Sequence, residues 1–295
     1  ISHDRGTLII TKSDNKQVKN FNTILTNASK NHNKTITSTN TGFVESGKDF
    51  GSGYVDVIQD LNIAVLSGEP TSTLRFGEIW NFFEQQLNYP ISVLDEDYFS
   101  RVDLTTYDIL ILPDGWGYKS FLTTHIKEKI KDWVKRGGKL IVMGGAIDAL
   151  TSSDKDFTIK EKEIEKDSSN TISSFEVSER EQIKSAITGA IFKATVDNTN
   201  PLAYGYDDTY FTLKLGDRAY KYLENGSAVY LSEGANEPVS GFAGSEAKKK
   251  IAETLIFGTE EMGRGQIIYM VDNPLFRGFW ENGKLFFANA LFMVK

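Results

Sequence analysis

Apolar residues along the chain follow two alternating periods, short β-branched runs and longer stretches with helical spacing. Residues 7–11 (TLIIT) predict a strand, and Ser13-Asp14-Asn15 behind them is a turn and helix-cap signal. Val18, Phe21, Ile24 and Leu25 then fall at helical spacing as far as the polar cluster Asn31-His32-Asn33, and KTITST at 34–39 reads as a second strand. This strand, helix, strand unit ends near Ile58, after a passage containing Gly42, Gly47, Gly51 and Gly53.

A stronger pattern begins at Leu61. LNIAVLSG is an almost continuous apolar run ending in glycine, as expected of a strand buried on both faces. TSTLRFGEIWNFFEQQL follows, with Leu74, Ile79, Phe82, Phe83 and Leu87 on one helical face. ISVLD (91–95) and YDILILP (107–113) predict strands, and LTTHIKEKIKDWVKRGG a helix that turns Ile126, Ile130, Trp133 and Val134 inward and closes on Gly137-Gly138. KLIVMGGA (139–146) is the next buried strand. Residues 151–185 change character to alternating charges, which reads as a solvated helix or mobile excursion. Order resumes at AIFKATVD and continues through tyrosine-rich strands around 204–230, a helix over SEAKKKIAETLIF, the strand GQIIYMVD and an apolar helix over KLFFANALFMV. The tyrosines suit strand positions.

Strands alternating with helices at this spacing predict an α/β fold with three layers, flavodoxin-like, around a mainly parallel sheet. At about 150 residues per domain, 295 residues make one large or two modest domains. The division read here is a leading unit at 1–58 and a domain at 59–295 that carries the charged insertion at about 151–185.

Composition narrows the chemistry. Hydrophobic residues at 40% and charged residues at 25% are ordinary for a globular chain. Forty acidic against thirty-three basic residues leave a net charge of −7, which disfavours nucleic acid as a partner. The chain has no cysteine and three histidines, His3, His32 and His125, so thiol nucleophiles, disulfides and cysteine-ligated metals are excluded, and a two-histidine mechanism is hard to assemble. No apolar stretch is long enough for a membrane span, and the first residues lack a signal-peptide pattern. The chain starts with Ile and is read as a piece of a longer protein.

In an open parallel sheet ligands sit at the carboxyl ends of the strands. The residues that follow the strands here are Ser67-Gly68-Glu69-Pro70-Thr71-Ser72-Thr73, Pro113-Asp114-Gly115-Trp116-Gly117, Gly144-Gly145-Ala146 and Asp272-Asn273-Pro274. Glu69, Asp114 and Asp272 are candidates to converge on a cation or sugar hydroxyl, although carboxylates at such turns more often act as caps. Ser72 lies in a segment with a superficial likeness to an FMN phosphate loop, which Glu69 opposes by its charge and Pro70 by its missing N–H. Gly144-Gly145 reads as an anion nest or, more economically, as close packing. Trp116 and Tyr118 are candidates for a sugar-stacking platform or for a cover over the sheet end.

This set of turns resembles the class I glutamine amidotransferase-like fold. That resemblance implies a cysteine elbow after a central strand, an oxyanion glycine in a Leu-Pro-Gly-Gly setting, and a late His-Pro-Glu. LPDG at 112–115 keeps the glycine turn, but Ala146, or Gly145 by a one-residue shift, stands at the elbow, and Asn273-Pro274-Leu275 replaces His-Pro-Glu. Nucleophile, base and orienting acid are thus all replaced by residues unable to serve.

Longer phrases, among them TGFVESGKDFGSGYV, DLNIAVLSGEPTSTLRFGEIWNFFEQQLNYPISVLD, ITGAIFKATVDNTNPLAYGY and VDNPLFRGFWENGKLFFANALF, resemble the C-terminal region of large bacterial zinc carboxypeptidases of the Bacteroidetes type. The resemblance implies a secreted or periplasmic parent with its zinc in an upstream peptidase domain, and this chain as an accessory domain that contacts that domain or recognises peptide or glycan. The pair His125-Ile126-Lys127-Glu128 matches the His-x-x-Glu of such a zinc site, but no histidine follows it, and three protein ligands are normal for catalytic zinc. No cofactor is expected in this chain. Two alternative readings are a module binding a sugar, nucleotide or flavin, and a carboxylate-dependent hydrolase using two of Glu69, Asp114 and Asp272.

Overall fold

A strand persists only where a neighbour completes its ladder and a layer covers its face. In the leading unit neither condition is met. The computed structural model describes residues 3–151, 157–163 and 175–295, and the chain divides into two compact units, Ile1–Gln59 and Asp60–Lys295. In the first, only the predicted helix forms, as α1 (Phe21–Asn31), starting after Asn20 in a left-handed conformation. The expected strands at 7–11 and 34–39 are absent from the described residues. No residue of α1 is buried, and Leu8, Ile10 and Ile36 are exposed.

In the second unit the buried runs become the expected elements. β1 (Ile63–Ser67) leads to α2 (Thr73–Asn81), which continues as a π-helical stretch over Phe82–Leu87. β2 (Ser92–Asp95), the short α3 (Glu96–Phe99), β3 (Ile109–Leu112), α4 (Tyr118–Phe121) and α5 (Thr124–Lys135) follow. Next come β4 (Lys139–Met143), α6 (Gly145–Thr151) and α7 (Phe175–Ser185). The remainder is β5 (Ile187–Val196), β6 (Thr209–Lys214), β7 (Ser227–Leu231), β8 (Ser240–Ala243), α8 (Ser245–Ile251), β9 (Thr254–Met262), β10 (Gly265–Met270) and α9 (Glu281–Phe292).

The strands form one mixed sheet of order β2-β1-β3-β4-β10-β9-β7-β5-β6, with β8 also paired to β5. From β2 to β10 every pairing is parallel, in the flavodoxin-like order with β10 in the fifth place. From β9 onward the pairings are antiparallel, which extends the parallel half rather than interrupting it. Alternate strand residues supply two cores. Ile63, Val65, Ile109, Ile111 and Ile141 pack with Ile79 and Phe82 of the first helical segment and Phe286, Phe287 and Leu291 of α9. Ala64, Leu66, Leu110, Leu112 and Leu140 pack with Ile130, Trp133 and Val134 of α5 and Ala146 and Ile147 of α6. The three-layer α/β architecture expected from the sequence is therefore present.

Several local expectations change. Leu74 is 78% exposed although it shares the predicted helical face, because it lies in the first turn of α2, beside the loops at the sheet end. The helix expected over SEAKKKIAETLIF stops at Ile251. Glu253 is left-handed (φ 48), and Thr254 to Phe257 become fully buried strand, where aromatic and β-branched side chains fit better than in a surface helix. Part of the charged insertion, 152–156 and 164–174, lies outside the described residues. The described piece between them is no solvated excursion, since Phe157 and Ile159 are in the core. Glu260 fixes it, accepting from the Thr158 amide at 3.0 and 3.2 Å and from the Tyr269 hydroxyl at 2.6 Å. Among the described residues no helix is long and apolar enough to cross a membrane.

One buried ion pair joins the two halves of the sheet. Lys214 at the end of β6, fully buried, donates to Asp272 just after β10 at 2.9 Å, and Thr212 donates to the other carboxylate oxygen at 2.7 Å. Removing one partner leaves an uncompensated charge in a low-dielectric interior. Asp272→Asn is therefore expected to cost about 3–5 kcal/mol in urea unfolding, and the paired change Lys214→Met with Asp272→Leu to recover most of it.

A half-buried cation sets a pH response. Lys139, at the start of β4, donates to the Leu291 carbonyl at 2.8 Å. Burial, reinforced by Lys295 and opposed by Asp108, pushes its pKa down to about 8. The depressed value means that the protonated lysine destabilises the fold. The penalty is complete below pH 8 and is relieved as the pH rises toward the ordinary lysine value. Relative to Lys139→Met, the wild-type chain should gain about 1–3 kcal/mol between about pH 8 and pH 10.5, read from denaturation at successive pH values.

Candidate functional site

The strand order reverses between β1 and β3, so the crevice at their carboxyl ends is where a ligand of such a sheet would sit. Here the two loops bordering it are bonded to each other. The Ser72 amide donates to the Asp114 carbonyl at 3.1 Å, the Trp116 amide to the Pro70 carbonyl at 2.9 Å, and Thr71 bridges Gly115. Gly115 is glycine because of this pairing, since a Cβ there would lie 2.1 Å from the Pro70 oxygen. The Thr71 amide donates to the Gly68 carbonyl at 2.8 Å. Two amides of the supposed phosphate loop are thus spent within the protein.

Asp114 organises what remains. Its Oδ1 accepts from the Gly145 amide at 2.6 Å, at the start of α6. Arg75 Nε lies 3.6 Å from its other oxygen, and Arg218 Nη1 3.5 Å from Oδ1. The position an anion would take on the Gly144-Gly145 turn therefore holds the protein's own carboxylate. Gly144 is left-handed (φ 49), and a Cβ on it would meet Asp114 Cγ at 2.3 Å; one on Gly145 would meet the Gly115 oxygen at 2.1 Å. The close-packing reading of the glycine pair accounts for these distances. Ala146, at the elbow position, is fully buried in the core.

The charges continue on both sides of Asp114. Arg75 Nη1 donates to both oxygens of the buried Glu78, at 2.9 and 3.3 Å. Glu78 also accepts from the Asn273 amide nitrogen at 2.5 Å and from the Arg277 backbone at 2.7 Å. Asn273 in turn accepts from the Leu275 amide at 2.9 Å, so its side chain shapes the turn after β10. On the other side Arg218 Nε donates to Asp148 at 3.3 Å, and the Tyr220 hydroxyl donates to the same carboxylate. Burial alone lowers the Arg218 pKa, but Asp114 and Asp148 outweigh it and hold the guanidinium more firmly protonated. Burial, then Asp148, raises the Tyr220 phenol above its ordinary value, which keeps it a donor.

The other candidates take separate places. Glu69 is exposed, and Asp272 is closed inside the Lys214 pair, so each of the three acidic candidates has its own surroundings. Trp116 is 76% exposed whereas Tyr118 is buried; the Tyr118 hydroxyl donates to the Pro113 carbonyl at 2.7 Å. Tyr118 covers the sheet end, and the two rings do not share a platform. His125 and Glu128 are both exposed on α5, and the described residues hold no cluster of three or more possible metal ligands. Arg75, Glu78, Asp148 and Arg218 were not among the sequence candidates. The i,i+3 spacing of Arg75 and Glu78 right after a strand-end loop is a legible hint. Asp148 and Arg218 are separated by 70 residues and meet only in three dimensions.

No protein-family model matches the chain, and no curated protein does. Solved structures similar to it include a putative GMP synthase component from Thermoplasma acidophilum, 9% identical, covering 79% of this chain and 94% of that one with a TM-score of 0.47. A putative ThuA-like protein from Bacteroides uniformis is 11% identical, with 86% and 94% covered and a TM-score of 0.46. A β-galactosidase from Bacillus circulans sp. alkalophilus is 12% identical with a TM-score of 0.42; the match covers 82% of this chain but 32% of that one. At these identities and scores the likenesses assign no activity.

The contact of Asp114 with Gly144 yields a coupling test. Gly144→Ala adds left-handed strain and a clash, together about 2–6 kcal/mol. In the background of Asp114→Gly the clash is gone, so the cost of Gly144→Ala should fall by at least about 1 kcal/mol in a double-mutant cycle, to about the strain contribution alone.

Proposed function

We propose that this chain is a non-catalytic accessory domain of a secreted or periplasmic zinc carboxypeptidase, an amidotransferase-like region whose role is support, interdomain contact or recognition of peptide or glycan. The phrase-level resemblance of the sequence supports the parentage. The observation that carries the non-catalytic reading is the engagement of the Gly145 amide by Asp114. Catalysis by such a turn needs donors aimed at charge that develops in a substrate. This donor faces a resident carboxylate, with Arg75 and Arg218 balancing it. Ala146 and Asn273, at the elbow and base positions of the resemblance, supply neither nucleophile nor base.

On this reading zinc belongs to the upstream peptidase domain, and this chain carries no cofactor. Its amidotransferase-like architecture serves as a scaffold, as folds often do once their chemistry is lost.

Glutaminase, esterase and carboxypeptidase assays of the chain should give no turnover above buffer. Turnover that is abolished by Asp114→Ala or Asn273→Ala would overturn the proposal. So would an upstream reading frame lacking a domain with His-x-x-Glu and a distant histidine.

A further inference from the structure

The sheet ends on β2 at one side and on β6 at the other. A strand at such an edge offers unpaired N–H and C=O groups to any further strand, and proteins blunt it by shortness, proline, a bulge or a charge. β2 is only four residues long. β6 runs for six residues (TYFTLK) without proline, and it pairs with β5 in unbroken register from Thr209 to Lys214. Its one charge, Lys214, points inward, but it is already buried and met by Asp272. Another strand alongside β6 would therefore not isolate that charge.

The register also shows which backbone groups of β6 are open. In an antiparallel ladder, facing residues alternate between pairs that exchange both backbone hydrogen bonds and pairs whose groups point away from each other. The Val196 amide donates to the Asp208 carbonyl at 2.9 Å, one step beyond the pair of Thr195 with Thr209. Asp208, Tyr210, Thr212 and Lys214 are therefore the positions bonded to β5, and Thr209, Phe211 and Leu213 turn their N–H and C=O outward. β5 alternates to match, since the Ile191 carbonyl accepts from the Val239 amide at 2.7 Å on its other side. Among the described residues none of the outward groups of Thr209, Phe211 and Leu213 has a hydrogen-bond partner. The side chains of the same three residues share a face with Ile191, Lys193 and Thr195 of β5. On that face Phe211 is 42% exposed, whereas Tyr210, Thr212 and Lys214 are buried on the other.

We propose that two copies of the chain join edge to edge through β6, antiparallel about a two-fold axis at Phe211, into one continuous sheet. The open groups call for a strand, and β6 is complementary to itself. With Phe211 opposite Phe211 of the partner subunit, Thr209 falls opposite Leu213 of the partner subunit, and every outward N–H and C=O of the three residues gains a partner. A shift of two residues in either direction sets one of the three opposite a residue outside β6. Charge favours the same arrangement. The acidic start of the strand, Asp207-Asp208, falls opposite Leu215 and Lys214 of the partner subunit, where a parallel join would set it against itself. On the open face the two Phe211 rings become a cross-strand aromatic pair.

Sedimentation velocity of the whole chain, combined with amide hydrogen exchange at single-residue resolution, tests this. The wild-type chain should be dimeric at about 100 μM. Relative to the monomer, obtained by dilution or from a variant, exchange at Thr209, Phe211 and Leu213 should slow at least about 10-fold, while Tyr210 and Thr212, already bonded to β5, stay protected in both states. Phe211→Lys sets like charges opposite each other on the axis and should be monomeric at the same concentration. Its thermal midpoint should stay within about 5 °C of wild type, since the side chain lies on the open face. A chain that is monomeric up to about 500 μM would leave the edge to a strand of another protein and overturn the proposal. So would a dimer that survives Phe211→Lys, or one in which the three outward amides exchange as fast as in the monomer.

Discussion

The carboxylate of Asp114, held on the Gly145 amide between Arg75 and Arg218, is the constraint from which the strand-end region is built. Its backbone carbonyl takes the Ser72 amide and ties the loop after β1 to the loop after β3. Its side chain takes up the space that a Cβ on Gly144 would need. The guanidiniums that balance it are themselves held by Glu78 and Asp148. An alternating row of charges results, running from the turn after β10, through Glu78, to Tyr220, the residue bridged to the piece at 157–163. In a partly buried setting each charge is tolerable because its neighbours compensate it.

The same economy governs the antiparallel extension. The parallel half closes by itself, with β10 in the fifth place and helices on both faces. The later strands add a second half whose attachment includes the buried Lys214–Asp272 pair. Such a pair contributes little net stability over an apolar equivalent but penalises any arrangement that separates its members. It therefore specifies where the end of β6 lies relative to the end of β10.

Much of this was legible in the chain itself. The continuous apolar runs at 63–66, 109–112 and 140–143 are buried on both faces, and the helices between them turn the expected residues inward, Leu74 apart. That Ala146 carries no nucleophile and Asn273 no base near neutral pH follows from residue type alone, wherever they lie. The leading unit was misread because TLIIT and KTITST have strand composition but no neighbour to pair with, and β propensity expresses the fit to a sheet that already exists. The end of α8 was misread because helical spacing and a buried strand are alike over a few apolar residues.

The sequence by itself determined the alternation of strands and helices, the side each apolar residue would seek, the lack of any thiol and the scarcity of histidine, all of which follow from local periodicity and composition. Tertiary structure alone decided which charges meet. Arg218 reaches Asp148 across 70 residues and Lys214 reaches Asp272 across 58. Ion pairs and cavities depend on distances of a few ångströms between remote segments, and only the packing of the sheet's layers sets those distances.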